Sequence, residues 1–211
     1  MTAAATPVSV SPSVDALRTR FGSDVGRHLV SCGDTIVYVS RERLHEMLAW
    51  LKDDPSQQFN YLTDITAVEY RDPERPLEVV WQLWAMERKA FLRIKVELDK
   101  RQPLEVASVF DLWKGADWME REVFDLFGIA FTGHPDLRRI LMWETYAEGY
   151  PLRKDFPLRG HFSRAEQTRQ ALAANPEAHY SLEELSIAAA YDELPADVKE
   201  RLAHGDRGSV K

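Results

Sequence analysis

Apolar residues recur at helical spacing in two early segments of the chain. Val14, Leu17 and Phe21 form a stripe that ends at Gly22, which predicts a short first helix. A second helix is predicted between Ser40, a plausible N-cap, and the stop Asp53-Asp54-Pro55. Its apolar stripe consists of Leu44, Met47, Leu48 and Leu51.

Between and after these helices the pattern is typical of strands. Runs at 25–30 and 35–39 predict a hairpin, and three longer strands are expected. The longer strands cover about 59–70, 77–86 and 91–98. The last of them alternates apolar and charged residues, which favours antiparallel pairing with one dry face. The strand before it is apolar on both faces, which indicates a central strand or an outer face covered by a partner.

Beyond Pro103 the helical period returns. One apolar stripe, made of Val106, Val109, Phe110 and Trp113, predicts a helix. Asp117 then begins a further helix, with Glu120 at the spacing of a capping box and Gly128 as its stop. The order α-β-β-α-β-β-β-α predicts a two-layer α+β domain with a mixed, mainly antiparallel sheet packed on helices.

The regular pattern of apolar and polar residues is absent from the N-terminus and is lost again after Gly133. Past Gly133 prolines, glycines and aromatic residues follow one another without a period, and such long irregular segments are commonly functional. We therefore divide the chain into a flexible N-terminus, an α+β core domain, an extended partner-binding arm and a polar, partly helical C-terminal extension. These segments are 1–12, 13–131, 132–160 and 161–211, and helices in the last are expected at 164–173, 182–191 and 197–203.

Charge and cysteine usage narrow the possible functions. The 211-residue chain carries a net charge of −7, so neither nucleic acid nor an anionic lipid surface is an expected partner. No segment has the roughly 18 consecutive apolar residues that direct membrane insertion requires. The lone Cys32, expected to be semi-buried, cannot hold an iron–sulfur cluster by itself.

Motifs for nucleotide cofactors are absent from the sequence. There is no G-x-G-x-x-G fingerprint, no P-loop and no Cys-x-x-Cys pair, and the six histidines are scattered. We therefore expect no catalytic residue, cofactor-binding residue or metal ligand in this chain.

One segment rich in charged residues nevertheless needs an interpretation of its own. Glu122 and Asp125 lie three residues apart on the predicted helix, and Arg121, Arg138 and Arg139 are their nearest cationic candidates. A structural ion-pair network is the favoured interpretation because buried carboxylates need partners. A proton-handling role is the alternative. His134 is interpreted as a satisfied turn histidine, with metal binding as the alternative.

The same stretch resembles a known family. The run E-R-E-V-F-D-L-F-G-I-x-F, the following G-H-P-D-L-R-R-I-L and the later P-L-R-K-D-F-P-L are similar to the signature of the thirty-kilodalton subunit family of respiratory complex I. The upstream D-L-W-K-G-A-D-W also resembles that family, and the likeness covers about residues 35–160. The signature and subunit-interface residues that it implies are Glu120, Arg121, Glu122, Asp125, Gly128, His134, Pro135, Arg138, Arg139, Pro151, Arg153, Lys154 and Asp155.

The resemblance implies a non-catalytic scaffold subunit in the hydrophilic arm of a bacterial proton-translocating NADH-quinone oxidoreductase. Its expected neighbour is the large quinone-site subunit, and flavin and iron–sulfur clusters are expected in partner subunits only. The expected location is the cytoplasmic side of the inner membrane, as a peripheral protein.

Three alternatives stay open at this point. The chain could serve a related membrane-bound hydrogenase or another quinone-reducing complex, which co-purified subunits would distinguish. It could be a stand-alone enzyme using Glu122 and Asp125, which would need a concave pocket around them. An unrelated adaptor is the third alternative, and the paired motifs argue against it.

Overall fold

The structure is a computed structural model that describes residues 11–72 and 74–174. Within these ranges the chain forms four α-helices and seven strands. The helices are α1 (Pro12–Phe21), α2 (Leu44–Asp53), α3 (Ala116–Phe127) and α4 (Arg164–Ala174). The strands are β1 (Val25–Ser31), β2 (Asp34–Val39), β3 (Tyr61–Val68), β4 (Leu77–Ala85), β5 (Ala90–Leu98), β6 (Glu105–Ala107) and β7 (Ala130–Thr132).

Five strands form the main sheet in the order β1-β2-β5-β4-β3. Strands β2 and β5 pair in parallel, and the other neighbours pair antiparallel. The short strands β6 and β7 form a separate parallel pair. The predicted α+β class with a mixed, mainly antiparallel sheet is therefore confirmed, and β4 has a partner on each side as its two apolar faces indicated.

The core lies between one face of the main sheet and helices α1, α2 and α3. Val37, Ile94, Trp81 and Ile65 stand opposite one another across four strands, and all four are buried. The apolar stripes predicted for α1 and α2 belong to the same cluster. Because strand residues alternate between faces, this register places the charged residues of β5 on the opposite face of the sheet.

A buried ion pair lies on that opposite face. The carboxylate of Glu78 is shielded from solvent and accepts hydrogen bonds from Lys95 Nζ (2.7 Å), Tyr70 Oη (2.9 Å) and Tyr38 Oη (3.2 Å). Burial alone would raise the pKa of Glu78, but the bonds from Lys95 and the tyrosines outweigh it and the pKa is lowered. Side chains from β5, from β2 and from the segment after β3 thus surround the Glu78 carboxylate on this face of β4.

The predicted N-terminus of the second helix was wrong by a few residues. Helix α2 begins at Leu44 after Arg43, and no side chain caps it. The hydroxyl of Ser40, the predicted cap, instead donates to Asp24 Oδ1 at 3.3 Å. Ser40 therefore ties the end of β2 to the turn before β1.

The helix predicted after Pro103 was also wrong. Its first apolar position, Val106, lies in β6, which pairs with β7. Val109 and Trp113 are buried as the stripe required, but residues 108–115 form turns and irregular backbone. Apolar spacing alone could not reveal that a strand from beyond the next helix would pair here.

The chain divides into a compact unit that ends at His161 and a second unit that begins at Phe162. In the second unit the predicted helix near 164–173 is confirmed as α4. The helices predicted at 182–191 and 197–203, and the N-terminal residues 1–10, lie outside the described residues. Cys32, predicted to be semi-buried, is instead exposed at the tip of the β1–β2 hairpin.

Candidate functional site

Helix α3 carries the dense charged stretch and packs beside β3. Val123 and Phe127 are buried in the core, while Met119 and Leu126 are partly buried against it. The helix ends at Gly128, which adopts a left-handed φ of 72° and donates its N–H to the carbonyl of Phe124, as its predicted role at the C-terminus required.

Asp125 is fully buried and organises the segment that follows β7. One carboxylate oxygen accepts a hydrogen bond from the guanidinium of Arg139 at 2.6 Å. The other accepts three consecutive backbone N–H groups, from Ile140 (3.1 Å), Leu141 (2.7 Å) and Met142 (2.8 Å). An irregular backbone has no regular partners of its own, so one carboxylate here satisfies three donors that would otherwise cost free energy when buried.

These donors keep Asp125 ionised. Burial by itself would raise its pKa, but the N–H of Met142, the guanidinium of Arg139 and the other two N–H groups outweigh burial, so the pKa is lowered. A carboxylate held in this way is unsuited to exchanging protons near neutral pH, which favours the structural interpretation of this residue.

The arginines of the stretch bind backbone carbonyls as well as carboxylates. Arg139 also donates to the carbonyl of Gly149 at 3.0 Å. Arg121, on α3, donates to the carbonyls of Arg138 (3.1 Å) and Arg139 (3.2 Å). The side chain of Arg138 is largely exposed and pairs with Asp136 at 2.8 Å. Arg121 and Arg139 therefore hold residues 138–149 against the helix.

The second motif block returns to the end of the same helix. Arg153 Nε donates to the carbonyl of Phe127, and the N–H of Leu152 donates to the carbonyl of Leu126 at 3.1 Å. The ring of Tyr150 lies directly on Gly128, where a Cβ atom would approach it to 2.4 Å. Gly128 is thus required for close packing as well as for its positive φ.

Beyond this contact the segment is held at two further points. The N–H of Lys154 donates to Glu69 Oε2 at 2.8 Å, next to the end of β3. The N–H of His161 donates to the buried Glu148 at 2.6 Å. We call residues 133–160 the C-terminal strap, because hydrogen bonds hold its inner side to the core at several points, between residues 138 and 142 and between residues 152 and 154.

Glu120 has a different role from the capping box predicted for it. Gly115 is the N-cap of α3, and no side chain caps the helix. The buried carboxylate of Glu120 instead accepts the hydroxyl of Ser108 at 2.6 Å and the N–H of Val109 at 2.7 Å. It therefore joins α3 to the turn after β6, and desolvation raises its pKa to about 7 despite these two bonds.

His134 sits in the turn after β7 with its side chain fully buried. Its Nδ1 accepts the N–H of Asp136 at 3.0 Å, so Nε2 carries the proton in the neutral ring. Nε2 faces the carbonyl of Asp117 at 3.4 Å and lies 4.0 Å from Glu120 Oε2. The geometry favours a satisfied turn histidine, and across residues 11–72 and 74–174 no three His, Cys, Asp or Glu side chains gather as metal ligands.

The expected pairing of Glu122 with the arginines was wrong. Glu122 is exposed, and its carboxylate makes no hydrogen bond or ion pair within the part of the chain that the structure describes. Asp125, by contrast, is buried and saturated, so the two carboxylates do not form a catalytic pair. Of the other signature residues, Pro135, Lys154 and Asp155 are exposed and Pro151 is half-buried.

Several functional partners were missed at the level of sequence. Ser108, Glu69 and Tyr150 hold the signature residues in place, but they are 12, 85 and 22 residues from their respective partners Glu120, Lys154 and Gly128. Only Tyr150 carried a signal, because it begins the second motif block next to a glycine.

Most of the fold and the whole strap lie within a region whose sequence matches a known protein family. The family described as "Respiratory-chain NADH dehydrogenase, 30 Kd subunit" matches residues 37–162, more than half of the chain. This chain belongs to that family. The matched range runs from β2 to the end of the strap, so it includes both motif blocks.

Individual relatives agree with this thirty-kilodalton family. An NADH-quinone oxidoreductase subunit from Rhizobium etli is 44% identical over 157 residues, which cover 73% of this chain and 82% of the relative. The solved trypsin-resistant fragment (1-134) of Nqo5 is 31% identical with a TM-score of 0.50, covering 58% of this chain and 97% of the fragment. A chain of the archaeal membrane-bound sulfane sulfur reductase shares the fold, with a TM-score of 0.57 and 21% identity. The match covers 74% of this chain and 88% of that chain.

Membership of this family makes the chain a subunit of an oxidoreductase complex. Among the described helices none is both long and apolar enough to cross a bilayer.

Replacing Asp125 by Asn should destabilise the isolated chain by on the order of 3–5 kcal/mol, because Arg139 would then be buried without its counter-charge. Asp136→Asn is the matched control, since its pair with Arg138 is exposed and worth about 0–1 kcal/mol. Urea unfolding of both variants measures the difference. Equal losses would show that the Asp125 pair contributes no more than a surface pair.

Gly128→Ala should destabilise the chain by about 2–5 kcal/mol, from the left-handed backbone and the clash with Tyr150 together. Gly133→Ala is the control: its φ is also positive, at 90°, but nothing lies within 4 Å of the new Cβ. Thermal unfolding of both variants separates the clash from the backbone cost, and similar melting temperatures would contradict a close-packing role for Gly128.

Glu120 should make the free energy of unfolding depend on pH between pH 4.5 and about 7. The pKa is raised from 4.5 to about 7 on folding, so the contribution of the protonated group is complete below pH 4.5 and is lost as pH rises to about 7. The free energy of unfolding of the wild type, minus that of Glu120→Gln, should fall by roughly 3 kcal/mol across this window. Denaturant unfolding at a series of pH values measures it, and a constant difference would contradict the raised pKa.

Proposed function

We propose that this chain is a non-catalytic scaffold subunit of the hydrophilic arm of a proton-translocating NADH-quinone oxidoreductase. In this role it binds the large quinone-site subunit and supports the module that passes electrons to quinone. Family membership supports the assignment, and so does the structural use of the signature: Asp125, Arg139 and Arg153 bind the chain's own backbone.

The observation that carries the proposal is the two-sided character of the strap. Its inner side is hydrogen-bonded to α3 and to Glu69, the residue that follows β3. Its outer side exposes three leucines, Leu141, Leu152 and Leu158, at 60%, 47% and 102% of their full accessibility. Lys154 and Arg159 are exposed along the same segment.

Such a surface is suited to binding another protein. Large apolar side chains that stay exposed along one segment are suited to contact with a partner. Because the strap is already ordered on its own core, binding a neighbour would not require the chain to fold first, which lowers the entropic cost of association. The partner-binding role predicted for this segment therefore belongs to its outer side.

Redox cofactors are proposed to reside in the partner subunits. A four-iron cluster needs four thiolate ligands, and this sequence has one cysteine. We infer that the chain itself binds no flavin or iron–sulfur cluster and stays on the cytoplasmic side of the inner membrane through its protein contacts.

Affinity purification of a tagged chain from native membranes tests the proposal. The wild type should bring down the other subunits of an NADH-quinone oxidoreductase, whereas subunits of a hydrogenase would favour the related-complex alternative. Leu141→Ser with Leu158→Ser should lower recovery about tenfold, corresponding to about 1.4 kcal/mol. The fold should be unaffected, because both side chains are exposed.

Met86→Ser is the matched control, since Met86 is 53% exposed but lies on the β4–β5 turn. Recovery that is equally low for both variants would count against the strap as the binding surface. A wild-type chain that co-purifies with no respiratory subunit would refute the proposed function as a whole.

A further inference from the structure

A small cleft separates the edge of β3 from helix α3. Its volume is about 110 Å³, and apolar and polar groups share its lining. The lining residues are Asp64, Ile65 and Thr66 from β3, Glu122, Val123, Leu126 and Phe127 from α3, and Leu152 from the strap. Three separate parts of the fold therefore build it.

Two carboxylates at this cleft have no cation. Neither the carboxylate of Asp64 nor that of Glu122 makes a hydrogen bond or ion pair with any residue in the ranges 11–72 and 74–174. Two other carboxylates of this region are satisfied: Asp125 by Arg139 and three N–H groups, and Glu69 by Lys100 at 3.1 Å and the N–H of Lys154.

The size of the cleft limits what can enter. Sites for small organic ligands usually enclose about 300–1,000 Å³, several times this volume, while a single water needs only on the order of 10–15 Å³. One inserted side chain fits between these limits. A lining in which apolar side chains lie beside two carboxylates suits a side chain with an aliphatic stem and a cationic head.

We propose that this acidic cleft receives an arginine side chain from a neighbouring subunit. The aliphatic stem packs on Leu126 and Leu152, and the guanidinium, which donates in several directions from one plane, bonds Glu122 and Asp64. Arginine is enriched at protein interfaces and at the few positions that dominate their affinity.

The cleft is continuous with the surface assigned above to partner binding. Leu152 is one of the exposed leucines of the strap and also lines the cleft. The inference rests on the proposed function, because it names the contact by which the same surface selects its partner.

The test compares release of the chain from the purified complex. Complexes carrying tagged wild type, Glu122→Gln, Asp64→Asn or Glu87→Gln are immobilised, and loss of the other subunits is followed at raised salt. Glu87 is exposed on the β4–β5 turn and makes no hydrogen bond or ion pair with described residues, so it is the matched control. Release should be on the order of tenfold faster for the cleft variants and unchanged for Glu87→Gln.

Unfolding of the isolated chains separates binding from folding. All three variants should unfold like the wild type, because none removes an internal contact. The inference would be overturned if the cleft variants released the other subunits as slowly as Glu87→Gln does. Failure of the wild type to co-purify with any partner would instead overturn the proposed function.

A cross-link identifies the occupant directly. In a Cys32→Ser background, a benzophenone attached to the thiol of Glu122→Cys should capture a partner peptide that contains an arginine. Exchanging the charges, with Glu122→Arg in this chain and the captured arginine changed to Glu, should restore slow release. Capture of a peptide without arginine, or no capture in an intact complex, would refute the proposal.

Discussion

The course of the C-terminal strap depends on one buried carboxylate. Asp125 gathers three successive backbone N–H groups and one guanidinium, and the chain bends around it where no helix or sheet could satisfy those donors. Once Ile140 to Met142 are fixed, Arg139 reaches the carbonyl of Gly149, and Tyr150 comes to rest on Gly128. A segment without regular secondary structure thereby acquires a defined path and two distinct sides.

Three carboxylates on one helix illustrate how environment decides the role of a side chain. Glu120 is buried with two donors and has a raised pKa, while Asp125 is buried with four donors and has a lowered one. Glu122, between them in sequence, is exposed and has no partner in the described chain. The first two are committed to the fold of this protein, and only the third is left for a contact outside it.

Local patterns predicted the elements whose partners are close in sequence. The stripes of α1 and α2, the β1–β2 hairpin and the stop at Gly128 were all recovered, because spacing and turn chemistry determine them. Strand β6 was missed because its partner β7 lies beyond α3, and the stripe through Val106 satisfies a helical period equally well. The signature residues were predicted as a set from the motif resemblance, but burial separated Glu122 from Asp125, and no spacing rule encodes burial.

The parallel pairing of β2 with β5 has a consequence for the order of folding. Hairpins β1–β2 and β4–β5 close over short loops, whereas β2 meets β5 only after roughly fifty residues have been synthesised between them. Loop closure of that length carries an entropic cost before its contacts form, and high contact order slows folding. The β3–β4–β5 meander is therefore expected to form first and to present the edge of β5 as a template. The N-terminal hairpin, although made first on the ribosome, completes the sheet late.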